Sequence, residues 1–473
     1  MKKLKLLLFA FTCIIICATL SGCAGVVTQI TNKEIITQKT DDIIASPNTV
    51  RKETGNNRDD STVKTMELTA KDLVSSRFKK SPYAETVAKG ANDFAFRLSA
   101  ALATQAGTEN FICSPYSVWL PLAALINATD ENSKENLVSV LGAAGISDAD
   151  INNAASRMMY DLTRQGERVY EDTQDNTAFH NPLVIANAIF VDNDLTLNKD
   201  FAQTFLDYYR GEAMTVDFNS TEAVSAVNEW ASKNTDGLIP NIIQYFSPDT
   251  IAALANAIYY SDRWNWEFSP EETIEDVFHS PNGDTSAFFM QREGDNQTYY
   301  EDDKVQAMPL TFKTGGGLYI IMPKDGDATG LLSSMKSEYY NEIQRNSILS
   351  TGKLLLPRFS IDSGNMDLVD TLASLGVPLF DPASAPLTGG LIKENMPVWI
   401  SGVLQRAAIE VDEKGTTAAA VTILSAPGDA PPQPTKPFEM ICNKPFIFIL
   451  YSHTYDGGNQ IIFTGIVNQP LRG

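Results

Sequence analysis

Residues 410–425 read Glu-Val-Asp-Glu-Lys-Gly-Thr-Thr-Ala-Ala-Ala-Val-Thr-Ile-Leu-Ser. A charged turn holding one glycine, Gly415, gives way to small residues and then to β-branched ones. In an extended chain successive side chains point to opposite faces. Thr416, Ala418, Ala420 and Thr422 then share one face, and Thr417, Ala419, Val421 and Ile423 share the other. Neither face carries a charge, so both can be buried. Yet the next residues, Ala-Pro-Gly-Asp-Ala-Pro-Pro-Gln-Pro-Thr-Lys-Pro at 426–437, read as an exposed, extended loop. The first half of this loop is fit to become the middle strand of a sheet.

Such a strand needs a backbone N–H at every position, so proline is excluded from it. Residues 416–426 contain none, and the first block is Pro427. Those residues would extend about 37 Å at roughly 3.4 Å each. Gly415 can swivel at the start of an insertion. Thr416, Ala418 and Ala420 are small enough for a packed interior, where a charge would cost several kcal/mol.

Glu413-Lys414-Gly415-Thr416, followed by the alanines, resembles the hinge of the serpin reactive loop. Further matches fall in that family's order. They are Asn110-Phe111-Ile112-Cys113-Ser114-Pro115-Tyr116-Ser117; Asn187-Ala188-Ile189-Phe190 with Val216-Asp217-Phe218; and Asn228-Glu229-Trp230 with Thr235, Gly237 and Ile239. Next come Asn256-Ala257-Ile258-Tyr259-Tyr260 with Trp264, Phe268 and Thr273, then Leu356-Pro357-Arg358-Phe359 and Leu375-Gly376-Val377. Asn443-Lys444-Pro445-Phe446-Ile447-Phe448 and Phe463-Thr464-Gly465-Ile466-Val467 close the series, which covers residues 84–473.

The resemblance implies an α+β serpin fold. Its parts would be a large, mostly antiparallel central sheet, two further sheets, about nine helices and an exposed reactive loop at 413–438. It implies a suicide-substrate inhibitor of extracellular serine endopeptidases, and of some cysteine proteases, rather than an enzyme. The hinge would be Glu413, Gly415, Thr416, Thr417, Ala418, Ala419 and Ala420. Trp264 matches the tryptophan packed where insertion starts. Ser114, Ser117 and Asn256 match the polar cluster where the strands part; Gln405 stands there in place of the family's usual histidine. Glutamine both donates and accepts hydrogen bonds, so function is expected to persist while any pH response of that cluster is lost. Thr417 replaces the usual glutamate on an outward face.

Family spacing from Gly415 sets the reactive bond at Asp429–Ala430, which implies an aspartate-preferring target. Cleavage at Leu424–Ser425 or Ser425–Ala426 would instead suit subtilisin-like or elastase-like enzymes. Two other functions are weighed against this one. A non-inhibitory serpin that binds or scaffolds would commonly lose the alanine-rich hinge. A lipid-anchored solute-binding protein would form two α/β lobes.

Residues 1–22 read as a lipoprotein signal: Met1-Lys2-Lys3-Leu4-Lys5, an apolar run, then Leu20-Ser21-Gly22-Cys23. Cys23 is the expected lipidation site, tying an exported protein to the outer face of a bacterial cytoplasmic membrane or to the cell surface. Residues 23–65 are polar and poor in aromatics, as a flexible tether would be. Residues 66–473 then form a single domain with its core from about residue 84, expected to be monomeric. Of five cysteines, Cys13 and Cys17 leave with the signal, and Cys113 and Cys442 sit in apolar surroundings as buried thiols.

The formal charge of −21, from 37 basic and 58 acidic residues, argues against nucleic-acid binding. The three histidines, His180, His279 and His453, are far apart and fit no metal-ligand spacing. Ser61-Thr62-Val63-Lys64 matches a Ser-x-x-Lys pattern but lies in the tether. Gly315-Gly316-Gly317 reads as a turn. No cofactor is implied.

Helical spacing of Val87, Ala91, Phe94, Leu98 and Leu102 marks a helix over 83–102, and a buried one is expected over 119–126. Helical patterns are expected to continue to about residue 235. Strands are expected over 251–260, 318–322, 353–359, 407–411, 446–451 and 460–467.

Overall fold

Helix Ala84–Ala106 buries Val87, Ala91, Phe94, Leu98 and Leu102 along one stripe, as the spacing requires. The next helix, Pro115–Leu125, opens with a proline whose missing N–H costs nothing at that position, and every residue in it is buried. The computed structural model describes residues 63–70, 81–164, 171–172, 177–178, 182–416, 437–454 and 458–471. Nine α-helices occur among the described residues.

A central sheet of six strands runs in the order Val63–Thr65, Glu212–Val216, Leu183–Asp192, Ala252–Tyr260, Gly402–Arg406, Met366–Asp367. Three neighbouring pairs are antiparallel; Leu183–Asp192 with Glu212–Val216, and Ala252–Tyr260 with Gly402–Arg406, are parallel. Helix Pro115–Leu125 packs on one face of this sheet, against Leu254 and Ile258. Helix Glu222–Asn234 covers the other face, laying Val227, Trp230 and Ala231 over Ala253, Ala255 and Ala257.

Above Tyr260 and Arg406 the two central strands run on into a four-stranded sheet. Its order is Phe359–Asp362, Ala408–Val411, Gly415–Thr416, Asp262–Arg263. The remaining described strands form a nine-stranded sheet and a two-stranded one. The nine-stranded sheet runs through Phe446–Thr454 and Gly458–Val467 to Phe111–Cys113 at its buried end, while Phe438–Ile441 pairs parallel to Ile348–Pro357 at the other.

Two expectations are corrected. The first half of the chain is not helical through to residue 235, because Leu183–Asp192 and Glu212–Val216 are strands of the central sheet. Leu183–Asp192 is covered on both faces, so it shows no period-two alternation to mark it. Val63–Thr65, placed by composition in the tether, instead pairs with Glu212–Val216, and Met66 and Leu68 just beyond it pack on the core.

Candidate functional site

The chain reverses between Val411 and Thr416. Asp412 makes the turn, its Oδ1 accepting from the backbone N–H of Lys414 (2.9 Å) and of Gly415 (3.1 Å). Val411 then pairs with Thr416. Across the other edge, Gly415 and Thr416 pair antiparallel with Arg263 and Asp262. The first two residues of the arm are therefore already seated between the two central strands, at the mouth of the sheet. Thr416 is fully buried, its hydroxyl held by the backbone N–H (3.1 Å) and carbonyl (3.3 Å) of Asp262. Gly415 has φ +156°, and a Cβ there would collide with the Asp262 carbonyl and the Arg263 Cα.

Three contacts fix this turn. Trp264, 1% exposed, donates its indole N–H to the Asp412 carbonyl (2.8 Å) and its backbone N–H to the Lys414 carbonyl (2.8 Å). Its ring stacks on Phe312, with centroids 4.8 Å apart. Glu413 turns inward, where its Oε1 accepts from Arg358 Nε (2.8 Å) and from the Thr273 hydroxyl (2.5 Å). Hydrogen bonds from Arg358 and Thr273 outweigh desolvation and hold the Glu413 carboxyl below its ordinary value.

Below the mouth the two central strands touch directly, in register from Gly402 opposite Ala253 to Arg406 opposite Ala257. One polar patch lies on the face turned to helix Pro115–Leu125. Gln405, fully buried, accepts from the Ser114 N–H (3.1 Å) and donates to the Ser114 carbonyl (2.9 Å) and the Ser117 hydroxyl (3.0 Å). Asn256, paired with Gln405 in the ladder, bonds elsewhere: its amide donates to Asn187 Oδ1 (2.7 Å) and to the Ala186 carbonyl (3.3 Å). That leaves two buried atoms, Asn256 Oδ1 and Asn187 Nδ2, without a hydrogen-bond partner.

The family profile described as serpin (serine protease inhibitor) matches residues 89–470. The chain belongs to the serpin family. It is 28% identical over 401 residues to mouse (Mus musculus) alpha-1-antitrypsin 1-4, covering 84% of this chain and 92% of that one. It is also 28% identical to guinea pig (Cavia porcellus) serine proteinase inhibitor A3K, covering 80% of this chain and 88% of that one. Among solved structures, the thermophilic serpin tengpin in its native state superposes with a TM-score of 0.68 at 25% identity, covering 86% of this chain and 97% of tengpin. Human thyroxine-binding globulin complexed with thyroxine shares the fold at a TM-score of 0.68 and 21% identity, covering 82% of this chain and all of that one.

In this serpin Glu413, Gly415, Thr416 and Trp264 converge at the mouth, while Ser114, Ser117 and Gln405 form one hydrogen-bonded group to which Asn256 is adjacent but not bonded. Thr417, Ala418, Ala419 and Ala420, the bond Asp429–Ala430, the alternatives Leu424, Ser425 and Ala426, and Cys23 all lie outside the described residues. Cys113 and Cys442 are free and buried, and burial pushes the Cys113 thiol up to about 12. The described histidines, His279 and His453, belong to no metal-binding group among the described residues. Sequence reasoning missed Arg358, Asp412 and Asp262 as members of the site. Arg358 lay unassigned within the Leu-Pro-Arg-Phe match, Asp412 lay unassigned within the charged turn, and nothing local marks Asp262.

Glu413→Gln tests the anchor of the turn. It leaves Arg358 without its charged partner and is expected to cost about 1–3 kcal/mol in urea unfolding at pH 7. A depressed carboxyl contributes stability above its ordinary value of 4.5 and loses it as pH falls through the lower folded value. The difference between parent and variant should therefore shrink below pH 4.5.

Proposed function

We propose that this serpin is a suicide-substrate inhibitor of extracellular serine endopeptidases, and of cysteine proteases that share the acyl-enzyme step. The protease nucleophile attacks the scissile carbonyl, the peptide bond breaks, and the new amine departs with the downstream chain. The upstream arm, now an ester or thioester of the protease, inserts into the central sheet and drags the enzyme with it. Distortion of the protease then outruns hydrolysis of the acyl bond, and the energy comes from the sheet.

One observation carries this reading: the arm's first pair sits antiparallel to both central strands, directly above the place where those strands meet in parallel. Inserting the arm there replaces one parallel pairing by two antiparallel ones, which are slightly more stable per residue. Continued residue for residue, the hinge register sets Ala418 opposite Tyr260 and Ala420 opposite Ile258. It brings Thr422 to Asn256 along one strand and to Gln405 along the other, and those two residues already face each other. Both counts agree, so the arm fits without a bulge. Thr422 then offers a hydroxyl to the orphaned Asn256 Oδ1, and satisfying a buried polar atom stabilises by about 1–3 kcal/mol.

The target cuts at Asp429–Ala430 on family spacing, or at Leu424–Ser425 or Ser425–Ala426 if it is subtilisin-like or elastase-like. Residues 1–22 direct export and Cys23 carries the lipid that holds the protein at a membrane surface. No described helix is long and apolar enough to cross a membrane. A second reading, a non-inhibitory binding protein, draws support from the fold shared with thyroxine-binding globulin.

Incubation with a panel of serine and cysteine proteases separates the two readings. Inhibition gives an SDS-stable complex with at least one protease, and mass spectrometry of the released fragment names the bond. No complex with any member favours the binding reading. Thr416→Arg should convert inhibitor to substrate, with cleavage kept and trapping lost, and because Thr416 is already buried in the uncut protein it should also lower that form's urea midpoint. Thr422→Val should leave the uncut form unchanged and lower the stability of the cleaved form by about 1–3 kcal/mol, read as urea midpoints.

A further inference from the structure

Asp262 stands directly opposite Thr416 at the mouth, and its side chain is only 4% exposed. Its Oδ1 accepts from the Arg263 backbone N–H (2.8 Å). Its Oδ2 accepts from the Tyr260 hydroxyl (3.2 Å) and from the Thr314 hydroxyl. Thr314 belongs to the turn after Val305–Thr311, which is also tied to the same strand by the Lys313 N–H on the Arg263 carbonyl (2.9 Å). The donors to the carboxylate, which include the Thr314 backbone N–H, are all neutral.

The charged and titratable groups packed around it come from every side. Arg263 lies on its own strand, Tyr260 ends the strand before it, and Tyr451 acts on Tyr260 from Phe446–Thr454. Lys313 comes from the turn and pairs with Glu267 (3.6 Å), which also feels Arg263 and Lys414. Glu413 is engaged by Arg358.

We propose, building on the inhibitory reading, that Asp262 is a proton-operated positioning residue for the insertion step. Neutral, it holds the seated Gly415–Thr416 pair in place; ionised, it favours release of that pair, because parting the strands there readmits water to a buried charge. Burial raises the carboxyl from 3.8 to about 6, against the opposing hydrogen bonds. The raised value means that the closed mouth binds the proton more tightly than a hydrated one. Its stabilisation is complete below 3.8 and is lost as pH rises through about 6. Entry of a strand that must displace this pair is thus slowed in acid and eased at neutral pH.

The test is uptake of a synthetic peptide of residues 416–426, acetylated and amidated, by the intact uncut protein. The peptide has no titrating side chain. Uptake is followed by the rise in melting temperature. Its rate should increase about tenfold from pH 5 to pH 7.5, one unit of differential proton affinity. Asp262→Asn should be slow at both pH values, and Thr314→Val, which removes a donor to the charged form, should move the midpoint upward. Equal rates at both pH values in the parent, or the parent's profile in Asp262→Asn, would overturn the role of Asp262 and leave the inhibitory reading standing. No uptake at any pH would defeat the inhibitory reading itself.

Discussion

Everything at this site depends on five residue pairs, Gly402 with Ala253 through Arg406 with Ala257, that join two parallel strands side by side. Both faces of the sheet are covered beside this seam, by helix Pro115–Leu125 on one and helix Glu222–Asn234 on the other. The seam between the halves is different. It is parallel, it carries an amide carbonyl with no partner, and the alanines on one of its faces make little contact area. The proposed insertion needs a seam of this kind, complete as it stands and still short of one polar partner.

The mouth and the patch beneath helix Pro115–Leu125 divide the work. Trp264, Asp412, Glu413 and Arg358 hold the turn, so that Gly415 and Thr416 arrive in one register. Gln405 spends both ends of its amide on Ser114 and Ser117, linking the Gly402–Arg406 strand to the helix under it. Neutral glutamine makes this patch indifferent to pH over the ordinary range. A titrating group appears instead at Asp262, at the other end of the path the arm would travel.

Much of this was legible in the residues. Helix Ala84–Ala106 announced itself by period, and strands such as Gly317–Pro323 and Phe446–Thr454 by short apolar runs. The hinge was visible because small uncharged residues between a charged turn and a proline-rich loop have few other uses. What could not be read was anything that depends on juxtaposition. Leu183–Asp192 is apolar on both faces, so its period is silent. Asn187 and Asn256 are distant in sequence, and only the ladder makes one orphan the other. Asp262 looks like an ordinary turn residue until Thr314 and Thr416 are folded against it.

The short leading strand Val63–Thr65 has a consequence of its own. It caps Glu212–Val216, whose free N–H and C=O groups would otherwise offer a template to any passing extended chain. The opposite border, Met366–Asp367, is only two residues long and recruits poorly. These two devices leave the borders of the central sheet unwelcoming to extended segments of neighbouring copies.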